Sequence, residues 1–465
     1  MAVDPKVEQA VTLAKPAKVK HLSFIVRALL FHIFFVPTTA LLLPLFVLRA
    51  LIPFGPGRYE GWTVLEALGV FLTRYAMRNI IRFHLQPIPP REKGWREMDN
   101  IIGGFLSLIN LSGPGGLVAS APPVVDQVEG YIREGRRDTD WFNPPPLEAL
   151  KGILSIKVGD NKVTDSTEYK GAALVEPKWA KTRVKGYWFM HNHADSPTPG
   201  PSGSQKRPVV LFFHGGAGVS FSAGDAFLGQ TLAKTLAKKG QVDLFSVDYN
   251  LAPFAPFPVQ IVQALGGYLH LINSYGYLPE QIFIGGDSFG SWLTLQLEHY
   301  LRTDGKFITD SWKNKASTAS GVPGLLLLSP WVCPFDIDTP SRRKSVETGH
   351  DILFPAYAHW GVNSLQVGPN FKDRFPDLEN PWIAPYCLPQ ADIGKLPPSY
   401  VLLGGLEALV DEDLAFVSKL RDAGVSVELQ VDEAGCHDFG TMSTFLPRYS
   451  PACVAMGKWI RGKTV

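Results

Sequence analysis

The sequence predicts an α/β protein: a mostly parallel sheet covered by helices on both faces. Three observations carry this. Short β-rich runs alternate with helical patterns beyond residue 150, which is the signature of βαβ units. Runs such as 208–213 and 323–328 are apolar without alternation, as strands buried on both faces can be. Finally, charged residues are only 19% of the 465-residue chain, against about 25% in ordinary soluble domains.

Composition also excludes several classes. With 44 Gly and 38 Pro and no repeat period, the chain is neither collagen, coiled coil nor a disordered polymer as a whole. A net charge of +2 supplies no field that would recruit nucleic acid, and none is expected as a partner.

In chain order, residues 1–27 form a basic tail carrying Lys6, Lys15, Lys18, Lys20 and Arg27. Residues 28–48 contain no Asp, Glu, Lys or Arg over 21 positions, about 30 Å of helix and the thickness of a bilayer core. The run exceeds the ~7–15 apolar residues of a signal peptide and lacks a good cleavage site, so a membrane anchor is expected, with a buried core helix or a cleaved signal as the rivals. Only Arg49 and Arg58 follow it closely, so the positive-inside rule keeps the tail cytosolic. The expectation is a single-pass protein of the endoplasmic reticulum with a lumenal catalytic domain and membrane lipid as a partner. Pro37 and Pro44 leave an alternative, a hairpin anchor on that membrane or a lipid droplet, facing the cytosol.

Residues 49–150 read as linker and helical lid. Within them 62–83 shows Leu65, Leu68, Leu72, Ala76 and Ile80 near helical spacing, and Arg74, Arg78 and Arg82 on another face. Such a helix lies on anionic lipid or is a lid helix with solvated arginines. Asn110-Leu111-Ser112 is a glycosylation sequon. Cys333, Cys387, Cys436 and Cys453 neither demand a disulfide nor exclude one.

Residues 151–465 form the expected catalytic domain. Strands are predicted at 152–158, 182–189, 208–213, 243–248, 281–285, 323–328, 398–404 and 425–431, the first two as an antiparallel edge. Helices are predicted at 224–238, 258–275, 290–303 and 410–423. Residues 194–204 read as a surface loop and 302–321 as an insertion. The Pro- and aromatic-rich stretch 331–397 reads as an irregular lid or binding insertion.

Strand 281–285 runs into Gly286-Asp287-Ser288-Phe289-Gly290, followed by a helical pattern. A serine on a tight strand-to-helix turn has its Oγ pushed out of the sheet, and the flanking glycines relieve the crowding. Ser288 is therefore the expected nucleophile. His214-Gly215-Gly216-Ala217-Gly218 directly follows strand 208–213. Its small residues let backbone N–H groups approach a developing oxyanion, with Gly216, Ala217 and Phe289 as expected donors. His214 and Gly215 support this loop.

These two motifs, with Tyr249-Asn250-Leu251-Ala252-Pro253 and Pro256-Phe257-Pro258, resemble the hormone-sensitive-lipase branch of the α/β-hydrolase fold over roughly 205–440. With the apolar N-terminus, the chain is similar to membrane-anchored arylacetamide deacetylases and fungal steryl acetyl hydrolases. That resemblance implies a Ser-His-acid esterase that deacylates small esters of hydrophobic alcohols and uses no cofactor. His437, in Gly435-Cys436-His437-Asp438-Phe439, stands where the family has its base. Glu407 takes the family register of the acid, and Asp411 is the competitor. Phe289 replaces a common Ala; its ring either narrows the acyl side toward acetyl or points into the core. Trp331, Trp360, Trp382 and Tyr386 are candidate walls for a flat substrate.

Two motifs are discounted. Residues 457–464 match a phosphate-binding loop but lack a strand before it, and His191-x-His193 has no third metal ligand at a recognisable spacing. No metal is expected, and oligomeric state is left open. The rival functions are a lipase on longer-chain glycerides and a non-catalytic small-molecule receptor on the same fold.

Overall fold

The computed structural model describes residues 21–53, 57–82, 139–158, 162–163, 175–192, 207–224, 229–252, 255–306, 308, 320–334, 338–365, 377–442 and 448–463. The tail 1–20, Asn110, His193 and the loop 194–204 lie outside the described residues.

Eight strands form one sheet: β1 (Thr139–Phe142), β2 (Val184–Phe189), β3 (Val209–Phe213), β4 (Asp243–Asp248), β5 (Ile282–Asp287), β6 (Leu325–Leu328), β7 (Ser399–Gly404) and β8 (Val427–Asp432). Their spatial order is β1-β2-β4-β3-β5-β6-β7-β8. Only β2 opposes its neighbours; β3 to β8 are parallel. Strands β2 to β7 are buried at every position, which explains why β3 and β6 are apolar throughout and why β5 and β7 carry apolar residues on both faces. Edge strand β8 is partly exposed and alternates Val427, Leu429 and Val431 with polar residues.

Nine helices of eight or more residues accompany the sheet among the described residues. They are α1 (His21–Leu51), α2 (Val64–Arg82), α3 (Gly229–Gly240), α4 (Val259–Asn273), α5 (Phe289–Arg302), α6 (Pro340–Thr348), α7 (Pro355–Leu365), α8 (Val410–Asp422) and α9 (Tyr449–Lys463). The step from β3 to β4 runs opposite to the later steps. Right-handed crossovers therefore put α3 on one face and α4, α5 and α8 on the other. This reversal opens a crevice at the C-terminal ends of β3 and β5, where ligands of open α/β sheets bind. Helix α9 packs on α3 so closely that a methyl on Gly457 would strike the carbonyl of Gly240. The discounted phosphate-loop pattern is thus a helix–helix contact.

The run 152–158 is not the edge strand expected. Gly152 turns with φ 50°, Ile153 N–H donates to the Asp304 carboxylate at 3.0 Å, and Ile153 and Leu154 plug the core. Only Lys157–Val158 is strand, in a separate two-stranded ribbon with Lys162–Val163. The antiparallel edge is made instead by Thr139–Phe142, too short and polar to be read from its sequence. The stretch 331–397 is more regular than expected. Thr339 caps α6 by accepting from Arg342 N–H, Pro340 occupies its first turn, and Gly349 ends it with φ 68°.

Helix α1 continues through Pro37 and Pro44, so the apolar run does not fold back on itself. One face packs through Phe31, Phe35 and Ala50, with Phe35 and Phe46 lying 5.6 and 5.5 Å from the Tyr75 ring of α2. The opposite face is apolar and exposed, with Ile33 at 69% and Leu41 at 77%, so α1 is not a core helix. Its stretch Leu29–Leu51 is long and apolar enough to cross a membrane.

Of the three arginines of helix α2, only Arg74 departs from both readings; Arg78 and Arg82 are exposed, as a solvated arginine face would have them. Arg74 is buried and donates to the carbonyls of Asp351 and Leu353. Arg78 lies over the Phe354 ring at 5.6 Å and Arg82 over Phe34 at 4.6 Å. Leu65 is exposed, while Ala67, Val70, Phe71 and Met77 are buried. The physical reason is that α2 is sandwiched between α1 and α7, so it has two contact faces rather than one.

Candidate active site

The register of the sheet assembles the site. Pairing of Phe213 with Gly286 sets His214 beside Asp287, and pairing of Gly404 with Asp432 sends the two loops after β7 and β8 out together. Ser288 adopts φ 52°, ψ −114° at the head of α5, a conformation L-residues rarely take. The turn fits because a side chain at Gly286 or Gly290 would strike the facing backbone. Ser288 Oγ lies 2.9 Å from His437 Nε2, and His437 Nδ1 lies 3.0 Å from Glu407 Oε2. Glu407 is fixed from behind by Gly404 N–H on Oε1 at 3.0 Å. All three side chains are buried.

Asp411, the competing acid, is directed elsewhere: its carboxylate accepts Ser341 N–H at 2.8 Å and holds the start of α6. Two of the other three histidines after the nucleophile, His299 and His350, are also engaged apart from Ser288. His299 stacks on Trp382 at 4.2 Å, and His350 pairs with the carbonyl of Gly57.

The His214–Gly218 loop turns through φ 110°, 53° and 68° at Gly216, Ala217 and Gly218. The N–H groups of Gly216 and Ala217 have no acceptor among the described residues. Phe289 N–H is the first orphan donor of α5, whose N-terminus favours negative charge. The sequence names these same three amides as candidate oxyanion donors. Gly215 N–H donates to Asp287 Oδ2 at 2.9 Å, tying the loop to the nucleophile turn. His214 stacks on Tyr249 at 4.3 Å, and Tyr249 Oη donates to the His214 carbonyl at 2.6 Å. Burial pushes the His214 imidazole down to about 4, so it stays neutral and braces the loop.

The Phe289 ring points into the core. It stacks on Trp292 at 4.7 Å and covers Gly218, so it does not line an acyl pocket. Of the four candidate wall aromatics, Trp331 adjoins the nucleophile, its N–H reaching the Ser288 carbonyl at 3.2 Å. Trp360 belongs to α7, whose Gly361 packs against Ala217. Trp382 and Tyr386 pack elsewhere, against His299 and Lys419. Among the described residues no group of His, Cys, Asp or Glu forms a metal site, and all four cysteines are free. His191 instead pairs with Asp243 at 2.7 Å.

Sequence reasoning passed over two carboxylates. Asp438 sits with φ 47° and places Oδ2 3.2 Å from His437 Nε2, on the nucleophile's side of the ring. Asp351, from the segment between α6 and α7, accepts the backbone N–H of His437 at 2.8 Å. Nothing in spacing marks either one. Burial by itself would lower the His437 pKa, but Asp438 and then Glu407 outweigh it and hold it well above its ordinary value. Burial raises the Glu407 carboxyl, and the imidazolium opposes that rise. The base must be neutral to accept a proton, so a raised pKa moves the acid limb of the pH–rate profile upward. Asp438→Gly, suited to positive φ, is therefore expected to move that limb down by about one to two pH units. A kcat/KM profile that does not move would sink this account of Asp438.

A sequence model of the family described as alpha/beta hydrolase fold matches residues 210–441. An esterase of Acinetobacter venetianus is 26% identical over 251 residues, covering 52% of this chain and 71% of that protein. The carboxylic ester hydrolase LipN of Mycobacterium tuberculosis is 25% identical over 245 residues, covering 51% of this chain and 59% of its own length. Among solved structures, a hormone-sensitive lipase from a metagenome library is 25% identical with a TM-score of 0.47, covering 60% of this chain and 82% of that one. The chain has the α/β-hydrolase fold. Within that fold it is a carboxylic ester hydrolase.

Proposed function

We propose that the chain is a membrane-associated serine esterase that removes short acyl groups, acetyl foremost, from hydrophobic alcohols such as sterols, lipids or secondary metabolites. The chain of contacts Ser288–His437–Glu407, at 2.9 and 3.0 Å beside the Gly216–Ala217 turn, carries the chemistry. His437 takes the Ser288 proton as Oγ attacks the ester carbonyl. The oxyanion is held by the amides of Gly216, Ala217 and Phe289, and the alcohol leaves with the proton from His437. Water repeats the cycle on the acyl-enzyme and releases the acid.

Supporting a small acyl group are the buried nucleophile and the direct packing of α7 on the oxyanion turn. The likeness to arylacetamide deacetylases and steryl acetyl hydrolases points the same way. Phe289 gives no such support. A series of p-nitrophenyl esters from acetate to palmitate tests this: activity is expected to peak at two to four acyl carbons, roughly. Activity rising with chain length would make the enzyme a lipase.

The exposed apolar face of α1 supports membrane attachment. The full chain is expected to stay with membranes in alkaline carbonate. Helix α2 accompanies α1 as far as Phe34, which favours lipid contact along the outer face of α1 over a helix surrounded by lipid on all sides. Protease treatment of sealed microsomes decides the orientation; digestion of the catalytic domain without detergent would refute a lumenal site.

A further inference from the structure

We propose that Asp351 is a positioning residue that holds the base loop and the acid loop in register, and that Arg74 of α2 holds Asp351 in turn. The inference rests on Ser288 and His437 being nucleophile and base.

The loops after β7 and β8 leave the ladder that aligned them. Near the sheet they remain tied through Gly405 N–H to the Asp432 carbonyl at 2.8 Å and Leu406 N–H to the Gly435 carbonyl at 2.9 Å. The chemistry lies beyond those ties. There the Asp351 side chain, fully buried, bridges the two tips: Oδ1 accepts His437 N–H at 2.8 Å and Oδ2 accepts Ala408 N–H at 2.7 Å. One oxygen thus grips the base itself, and the other grips the residue after the acid. Both bonds are short and buried, and together they tie the two tips where the ladder no longer aligns them.

Asp351 enters from outside the sheet, on the segment between α6 and α7. That segment is pinned by Arg74, whose guanidinium serves the carbonyls of Asp351, Leu353 and, at 3.4 Å, Ser345. A buried guanidinium is costly unless its donors are used, and here they fix the backbone that carries Asp351. The titratable and charged groups facing Asp351 are His437, Glu407 and Cys436 from the two loops and Arg74 from α2. Helix α2 is therefore linked to the active site through Arg74 and Asp351, although it contributes nothing to the triad.

The test uses the full chain in detergent, with kcat and KM on a short p-nitrophenyl ester between about pH 5 and 10, covering the ordinary His range and the raised one. Wild type, Ser288→Ala, Asp351→Asn, Arg74→Met and the Asp351→Asn/Arg74→Met double variant are compared. An asparagine offers one acceptor and turns its NH2 toward the other amide, so it cannot bridge both. Asp351→Asn is expected to lower kcat about 10- to 100-fold, the scale of a misplaced catalytic group, with KM within about two-fold. Its acid limb should move to lower pH, because a negative charge beside His437 is gone. Arg74→Met should lower kcat by less, and the double variant should be no worse than Asp351→Asn alone.

Unchanged kcat and an unmoved acid limb in Asp351→Asn overturn the proposal, as does full multiplicativity in the double variant. Where Asp351→Asn does not yield folded protein, Arg74→Met decides: a fall in kcat at constant KM supports the link, and an unchanged kcat overturns it. Wild type no more active than Ser288→Ala overturns the active-site reading as well, and is distinguished by that comparison alone.

Discussion

Ser288→Ala is expected to lower kcat about a million-fold on any ester that the chain hydrolyses. The figure follows from what the hydroxyl does. Without it no acyl-enzyme forms, and His437 has no proton to accept. What remains is direct attack by water in a site that still offers the oxyanion donors, worth about 10³–10⁴ over the uncatalysed reaction. Stability should change little. Serine and alanine bear similar strain at φ 52°, and the Oγ spends its contact on His437. Steady-state rates and a thermal melt on the same preparation check both halves. Residual activity of a few per cent with a wild-type melt would remove Ser288 from the nucleophile's role.

The second large effect separates two neighbouring acids. Glu407→Gln is expected to cost about 10⁴-fold in kcat, and Asp411→Asn no more than a few-fold. In Glu407→Gln the amide oxygen keeps the bond from Gly404 N–H, which leaves the NH2 facing His437 Nδ1. The imidazole must then accept at Nδ1 and carry its proton on Nε2, the wrong tautomer to take a proton from Ser288. Asp411→Asn still offers an oxygen to Ser341 N–H, so α6 keeps its anchor. If the Asp411 variant were the inactive one, the acid would have to be reassigned.

How far the sequence could be read depended on the kind of signal. Strands β3, β5 and β7 announce themselves because burial on both faces leaves apolar runs, and the motifs follow directly at their ends. The glycines flanking Ser288 and the His214 loop were legible because close backbone approach admits nothing larger. Asp351 was not, since it lies 86 residues before His437 in a polar lid segment and acts through amides, which have no sequence code. The direction of the Phe289 ring was equally hidden; it follows from the room left at Gly218 on another loop. Arg74 looked like one of three equivalent arginines, and only the packing of two helices singles it out. The outer strand Thr139–Phe142 owes its existence to a neighbour with open hydrogen-bonding groups rather than to its own residues.

The outward stripe of α1, with Ile33, Leu41, Leu45 and Leu48 facing away from the protein, also bears on how rates must be measured. On the membrane attachment proposed above, the esterase would meet its substrate as a mole fraction in two dimensions. Adding inert phospholipid at constant bulk ester should then slow turnover by surface dilution, while diluting the vesicles with buffer should leave turnover per enzyme nearly constant.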